Sequence, residues 1–504
     1  MKQPFPIMVA KATIFISMLI ILSMSIAVAD NYYIATSGND SNNGTISSPW
    51  KTVKHVWRNS GGGDTVFVRE GTYNESEIWL QASTRGKGIE SQFWTLMSYP
   101  GEIATFTNSR FIADADYVCI QGLHLTGTSY LESVSWGGMH ERIEFLNNDF
   151  SGETLPIRFM ANNGLVQGNK IQTTSPSHGI YVMHGDGNII RNNYVANMNK
   201  HGIHIYDENK YNHTARITNL LVENNTVIGS KSRSGIIISA GESTRLGIEI
   251  DGVVIRNNIV LNNAEDGITI RYYGSVRNVD IFNNVIYGNR PYGLRIIAHD
   301  VDNVTIKNNI FASNRTHINV SSRLNNFVDS HNLYWQPSSI GSGATDDYAV
   351  YQDPLFVNVT EYDFHLREGS PAIDAGVDVG IPYNGDFPDL GAFEYDESSA
   401  AKSIKKLPNR FNLQQNYPNP FNPSTNIHYD IAYPAKAELN IYNIQGQLIQ
   451  TLVNSTQTGG NYTVKWDGSM VDGNRAPSGI YIYKIRITGN NWIAEDSRKM
   501  LLLN

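Results

Sequence analysis

One short pattern is written twice in succession, as His178-Gly-Ile-Tyr-Val-Met-His184 and as His201-Gly-Ile-His-Ile-Tyr-Asp207. It belongs to a longer repeat. Glycine precedes an alternating apolar strand at Gly179, Gly202, Gly235, Gly267 and Gly293, and each unit closes on an asparagine pair, at 192–193, 224–225, 257–258, 283–284 and 308–309. Units of 23 to 33 residues with period-two alternation and no helical pattern cannot bury a core singly. They must stack, so the repeat predicts an all-β solenoid whose coils share one core.

Alternation sorts the side chains of each first strand. Ile180, Val182, Ile203, Ile205, Ile268 and Ile270 are expected inside, which turns their neighbours outward. Registering the coils on glycine aligns Tyr181, His204, Ile237, Thr269 and Arg295 in one column, extended by Arg158, and Met183, Tyr206, Ser239, Arg271 and Ile297 in a second. Column neighbours lie about 4.8 Å apart. Tyrosines spaced this way suit stacking on sugar rings and arginines suit forked bonds to carboxylates, so the face is a candidate surface for an extended acidic polymer.

The step along the first column is 23 residues from Arg158 to Tyr181 and again to His204, then 33 and 32. The added residues follow the first strand, where insertions in repeat proteins gather around function. They carry Asp207, Glu208, Lys210 and His213, then Glu242, Arg245 and Asp251. Five of the 13 histidines fall between positions 178 and 213. His204 is projected from the centre of the column as a base or acid near neutral pH, whereas His178 and His201 hold the corner before glycine, either for chemistry or simply to stack. Their spacing follows the coil and not a metal motif.

Charge and cysteine usage narrow the classes. With 39 basic against 47 acidic residues the net charge is −8, and no basic stripe favours nucleic acid. Cys119 is the single cysteine, so no internal disulfide exists and the thiol is expected as a small buried hydrophobe. Lys2 and Lys11 ahead of the apolar run 12–28, with Ala27-Val-Ala29 at its end, predict a signal peptide cleaved before Asp30. No later run is long and apolar enough to span a bilayer, so the mature chain is expected to be secreted or at the cell surface, and monomeric.

Between 32 and 73, Gly38-Asn-Asp40, Pro49-Trp-Lys-Thr52, Gly63-Asp-Thr-Val66 and Gly71-Thr-Tyr73 resemble the opening of bacterial right-handed parallel β-helix proteins of the pectate-lyase-like superfamily. The resemblance assigns Thr52–Arg58 to a short capping helix, the strand after each glycine to the binding face, and the asparagine pairs to an internal ladder. Asp353-Pro-Leu-Phe356, Ser370-Pro-Ala-Ile-Asp-Ala-Gly376 and Asp389-Leu-Gly-Ala-Phe-Glu394 resemble the closing segment of such proteins. Residues 396–410 are expected as a linker. Beyond it, Asn416-Tyr-Pro-Asn-Pro-Phe-Asn-Pro423, Ile441-Tyr-Asn-Ile-Gln-Gly446, Trp466-Asp-Gly468 and Ser478-Gly-Ile-Tyr481 are similar to the immunoglobulin-like sorting domain of type IX secretion substrates. The expected domains are therefore a signal peptide at 1–29, a capped β-helix at 30–395, the linker, and a small β-sandwich at 411–504. A carbohydrate-binding module is the alternative for the last of these.

The resemblance implies a lyase that cleaves a uronic-acid polymer of pectate or alginate type by β-elimination. Calcium or arginine neutralises the uronate carboxylate and a basic residue removes the C5 proton. Here His204 or Lys210 is the expected base, with His178 and His201 beside it. Arg271 or Arg295 would hold the carboxylate, Tyr181, Tyr206 and Arg158 would bind sugar, and Asp207, Glu208 and Asp266 would supply oxygen ligands for calcium. The aspartate group of the calcium-dependent pectate lyases does not map onto this chain. Mannuronan C5-epimerases open the corresponding strand with Tyr-Gly-Phe-Asp-Pro-His, and their Asp and His fall here on Tyr181 and Met183. A glycoside hydrolase would need two carboxylates across the groove, for which only Glu242 and Asp266 offer themselves. A non-catalytic glycan-binding or adhesive protein is the rival from another class.

Overall fold

The computed structural model describes residues 29–81, 92–134, 139–152, 156–172, 176–207, 216–241, 249–271, 274–320, 324–337, 339–343, 346–396, 411–431, 435–443, 447–457, 460–489 and 492–503. Within the repeats each coil makes three strands. Ile180–Asp186, Ile189–Arg191 and Tyr194–Ala196 form one coil, and Ile203–Asp207 opens the next. Equivalent strands of successive coils pair parallel, which yields an eleven-stranded wall from Gly71–Tyr73 to Leu333–Trp335. The other two walls join into one 23-stranded sheet, because Gly185 and Asp186 at the end of one face strand pair with Ile217 and Thr218 of the neighbouring wall.

The expected inward residues Ile180, Val182, Ile203, Ile205, Ile268 and Ile270 are fully buried in one continuous core. The glycine column has a steric cause. A Cβ on Gly179 would lie 2.6 Å from the Gly202 carbonyl oxygen, and one on Gly235 would lie 2.9 Å from that of Gly267. Successive coils cross too closely there for any side chain.

Each asparagine pair divides its labour. The first member takes the left-handed conformation that turns the corner, with φ of 56° at Asn192, 55° at Asn224 and 54° at Asn257. The second is buried and bonds along the axis: Asn193 Nδ2 donates to Asn225 Oδ1 at 2.9 Å, Asn225 to Asn258 at 3.0 Å, and Asn258 to Asn284 at 3.0 Å. This satisfies amides that a tight corner would otherwise strand without water. A further ladder, absent from the repeat-based reading, runs from Asn263 through Asn289 to Asn314 at 2.8 and 3.1 Å.

The first coils are capped. Val53–Asn59 is the expected helix; Thr52 caps it by accepting from the His55 amide at 3.1 Å, and Glu75 takes the Val53 amide at 2.7 Å. Its Val53, Val56 and Trp57 are buried on the first coils. The closing segment lays Phe364, Leu366, Ala372 and Leu390 against Ile259, Leu261, Val285 and Ile310 on the outside of the eleven-stranded wall. The later part of that wall, from Tyr194–Ala196 to Leu333–Trp335, is thereby covered, and the glycine-led face is on another side of the solenoid. Cys119 is buried and unpaired, as expected. From Phe411 a three-stranded and a four-stranded antiparallel sheet enclose a separate core containing Tyr429, Trp466 and Tyr483.

Candidate functional site on the glycine-led face

Backbone pairing places the first column in the expected register and lengthens it. Trp79, Ile112, Glu132, Arg158, Tyr181, His204, Ile237, Thr269, Arg295 and Asn319 follow one another coil by coil. In the second column Tyr206, Ser239 and Arg271 pair in order. Met183 departs from this order, because a bulge slips the register so that Met160 faces His184. The bulge also turns His184 toward Asp207, Nδ1 to Oδ1 3.3 Å, in the buried flank of the face.

His204 sits at the centre of a ring stack. Its imidazole lies beside Tyr181, at 4.8 Å between centroids and 7° between planes, and beside Tyr206, at 5.1 Å and 12°, and the two tyrosines are 6.2 Å from each other, so the three nearly parallel rings form a triangle. His178 and His201 stack on each other at 5.3 Å and 8°, with His204 4.4 Å from the first and 4.9 Å from the second. Burial, then the mutual proximity of the three imidazoles and of Arg271, holds His204 well below the usual histidine range. Burial first, with nearby cations second, pushes His178 down to about 3. Burial first, then the neighbouring His178 and Arg271, pushes His201, bonded through Nδ1 to the Ser234 carbonyl at 3.3 Å, down to about 2. The trio is therefore neutral at neutral pH, with buried Nδ1 atoms on His178 and His204 that accept or donate no hydrogen bond.

A stability consequence follows. A histidine whose basicity falls on folding stabilises the native state above its unfolded pKa near 6.5, and that contribution disappears as pH falls toward the folded value. Between pH 6.5 and about 2, His201 takes up its proton only on unfolding. At pH 5 this destabilises the fold by about 2 kcal/mol. Thermal unfolding of the β-solenoid measured at pH 7 and pH 5 should show a smaller acid loss in His201→Gln than in the parent. Equal losses would refute the buried, neutral assignment.

The face changes character along the solenoid axis. Before the ring stack it holds a buried apolar cluster, Ile112, Val134, Met160, Tyr181 and Met183, against which Trp79, Met139 and Tyr206 pack, beside the paired charges of Arg110, Glu132 and Arg158. After it the face is polar. Ser234 Oγ lies 2.9 Å from Thr269 Oγ1, which donates to Asp266 Oδ2 at 2.9 Å. The arginines are charge-matched: Arg158 meets Glu132 at 2.7 Å, Arg271 meets Glu265 at 3.4 Å and Arg295 meets Asp266 at 3.9 Å. Burial, then the Glu265 carboxylate, raises Asp266 to about 6 against the lowering bond from Thr269.

Several expectations change accordingly. The face is not an open strip throughout, since Ile237, Ser239 and Thr269 have no exposed surface. Asp207 and Asp266 do not form one metal site. Both are buried, Asp207 faces His184, and Asp266 lies at the opposite edge, roughly 20 Å away along the strand direction at 3.3 Å per residue. Among the described residues no three His, Cys, Asp or Glu side chains converge as a ligand set. Lys210, Glu208, His213, Glu242 and Arg245 lie outside the described residues. Sequence reasoning also passed over His140, whose ring nitrogens meet Asp114 at 2.9 Å and Asp116 at 3.0 Å. Only the columns carried forward to Trp79 would have brought Asp114 onto the face.

A family model described as right handed beta helix region matches residues 97–252 and 218–311. The solenoid is a right-handed parallel β-helix. A model of a family of unknown function matches 36–78, over the cap, and the FlgD Ig-like domain model matches 422–491, so the C-terminal sandwich is immunoglobulin-like. The chain is 25% identical over 444 residues to uncharacterized protein YwoF of Bacillus subtilis (strain 168), covering 68% of this chain and 92% of that protein. It is 24% identical over 301 residues to a pectate disaccharide-lyase of Dickeya chrysanthemi, an alignment covering 53% of this chain and 38% of the relative. Among solved structures, pectate lyase Pel9A superposes with a TM-score of 0.53 at 15% identity over 74% of this chain and 98% of its own, a likeness of fold.

Proposed function

We propose that this β-helix is an exported protein that acts on a uronic-acid polysaccharide along the glycine-led face, cleaving it by β-elimination. The observation that carries the reading is the ring stack of Tyr181, His204 and Tyr206, set in register with Arg158 on one side and Arg271 and Arg295 on the other. The tyrosines would hold sugar rings. His204, neutral before substrate arrives, would take the C5 proton; the electron pair forms the C4–C5 double bond as the C4–O bond breaks, and the leaving oxygen acquires a proton. The partial likeness to the Dickeya lyase is consistent with this. Asp207 and Asp266 do not fit one calcium ion, so no step is routed through a metal. The C-terminal domain would serve type IX sorting, supported by its proline-rich opening 416–423 and its immunoglobulin-like fold.

The test is absorbance near 235 nm, where the unsaturated uronate product absorbs, using the mature chain on pectate, alginate and glycosaminoglycans with and without calcium. A rise with at least one polymer is expected. No rise with any, alongside retained glycan binding, would favour the second reading, a non-catalytic glycan binder. One observation favours that alternative: the face arginines already have carboxylate partners and the histidines are weak bases.

A further inference from the structure

The arginines on the glycine-led face already hold carboxylates. Glu132, 3% exposed, accepts from Arg110 and Arg158, each at 2.7 Å, and Arg295 faces a fully buried Asp266. Drawing Arg158 or Arg295 onto a substrate would leave a buried carboxylate short of its cation, which is costly. A second set of cations is free. The corner that leads into the face carries Lys200, Lys231, Arg233, Arg290 and Arg315, all exposed, and among the described residues none of the five has a carboxylate partner. The acidic side chains of that corner are engaged elsewhere: Glu265 meets Arg271 at 3.4 Å, and Asp266 is buried against Thr269 and Arg295.

Scattered in sequence, these cations are gathered by the coil. The amides of Lys231, Ala264, Arg290 and Arg315 donate in turn to the carbonyls of Met198, Ser230, Asn263 and Asn289, each one coil back, at 2.7, 2.8, 3.2 and 3.3 Å. Lys200 and Arg233 precede the corner residues His201 and Ser234, and after burial it is these two cations that lower His178. From Lys200, in the coil of His204, to Arg315 four coils on, the row runs about 19 Å. At its far end Arg290 and Arg315, with Ser313, Asn314 and Gln336, line an open cleft of about 430 Å³. Two guanidinium forks one coil apart suit an anionic group that offers several oxygens.

We propose that this corner is a rim for the charges of an acidic polysaccharide: a chain lying past Tyr181, His204 and Tyr206 sets its anionic groups on the five free cations, and the cleft at Arg290 and Arg315 holds one carboxylate or sulfate ester. The proposal deepens the reading above and rests on it for the path of the polymer. No existing ion pair is broken, and the exposed cations keep part of their hydration, so each contact is modest and the row acts by number. A polysaccharide is favoured over nucleic acid, because the chain carries a net charge of −8 and a duplex, densely charged on all sides, would need more than one basic edge.

The experiment measures Kd of the mature chain for polygalacturonate, for a sulfated galactan without uronate and for duplex DNA, at low and high salt. Arg290→Ala/Arg315→Ala is expected to raise Kd for at least one of the two polysaccharides about 10-fold, the scale of two exposed charge pairs. Arg191→Ala/Lys307→Ala removes the same charge from the positions before Asn192 and Asn308, on another wall, and is expected to change Kd less than about 2-fold, being screened from the rim. Salt should weaken binding by the parent more than by the rim variant. Loss with the sulfated polymer alone upholds the rim and makes its ligand a sulfate ester. Equal losses in the two variants, no loss in the rim variant, or loss confined to DNA overturns the proposal. Absorbance near 235 nm on the same samples scores the lyase reading separately: rim-dependent binding without absorbance leaves the rim standing and removes the lyase, and absorbance indifferent to the rim variant does the reverse.

Discussion

Replacing Asn225 with alanine is expected to destabilise the β-helix by about 4–6 kcal/mol, since four buried partners lose their bond at roughly 1–3 kcal/mol each with some relaxation. Asn225 Nδ2 donates to the Ile190 carbonyl at 2.8 Å and to Asn258 Oδ1 at 3.0 Å, while its Oδ1 accepts from the Asn193 amide at 3.0 Å and from Asn193 Nδ2 at 2.9 Å. Its neighbour should behave oppositely. Asn224 turns the corner at a φ of 55°, which glycine adopts freely, so Asn224→Gly is expected to shift stability by less than about 1 kcal/mol. Urea unfolding of the solenoid transition, followed apart from that of the C-terminal sandwich, measures both. A loss below about 1 kcal/mol in Asn225→Ala would mean that the ladder carries little of the stability assigned to it.

The second large effect concerns chemistry. His204→Gln is expected to lower kcat on a uronate polymer about 10³-fold with little change in KM, the scale of a lost general base. Glutamine keeps a polar side chain beside Tyr181 and Tyr206, so sugar stacking survives in part. The pH profile is the companion readout. Because His204 in the free protein is held well below the usual histidine range, kcat/KM should stay flat from pH 8 to below pH 6 before acid protonates it. An acid limb near pH 6.5 that vanishes in His204→Gln would contradict the burial argument. Unchanged kcat in the variant would remove His204 as base.

Much of the scaffold was legible because the repeat constrains it twice. Period-two alternation named Ile203, Ile205, Ile268 and Ile270 as core, and glycine at the coil crossing fixed the register that aligned Tyr181 with His204. The asparagine pairs announced a ladder by sheer recurrence. The site was legible only in part, for three physical reasons. The bulge beside Met183 breaks the register locally and brings His184 to Asp207, a pairing that a uniform repeat cannot foresee. Phe111-Ile-Ala113 and Phe159-Met-Ala161 are apolar without alternation, so Ile112 and Met160 gave no sign of facing outward. Finally, Glu132 and Glu265 pair with arginines one coil or a short loop away, and such pairing decides whether an arginine is available to substrate.

The most direct test of the account is a crystal structure of His204→Gln with a bound oligouronate long enough to span several coils. The account predicts sugar along the glycine-led face, with rings against Tyr181 and Tyr206 and the chain running from the Trp79 side toward Arg295. Sugar bound elsewhere with this face empty, as in the cleft lined by His124, Asn147, Asp149 and Tyr462, would contradict it.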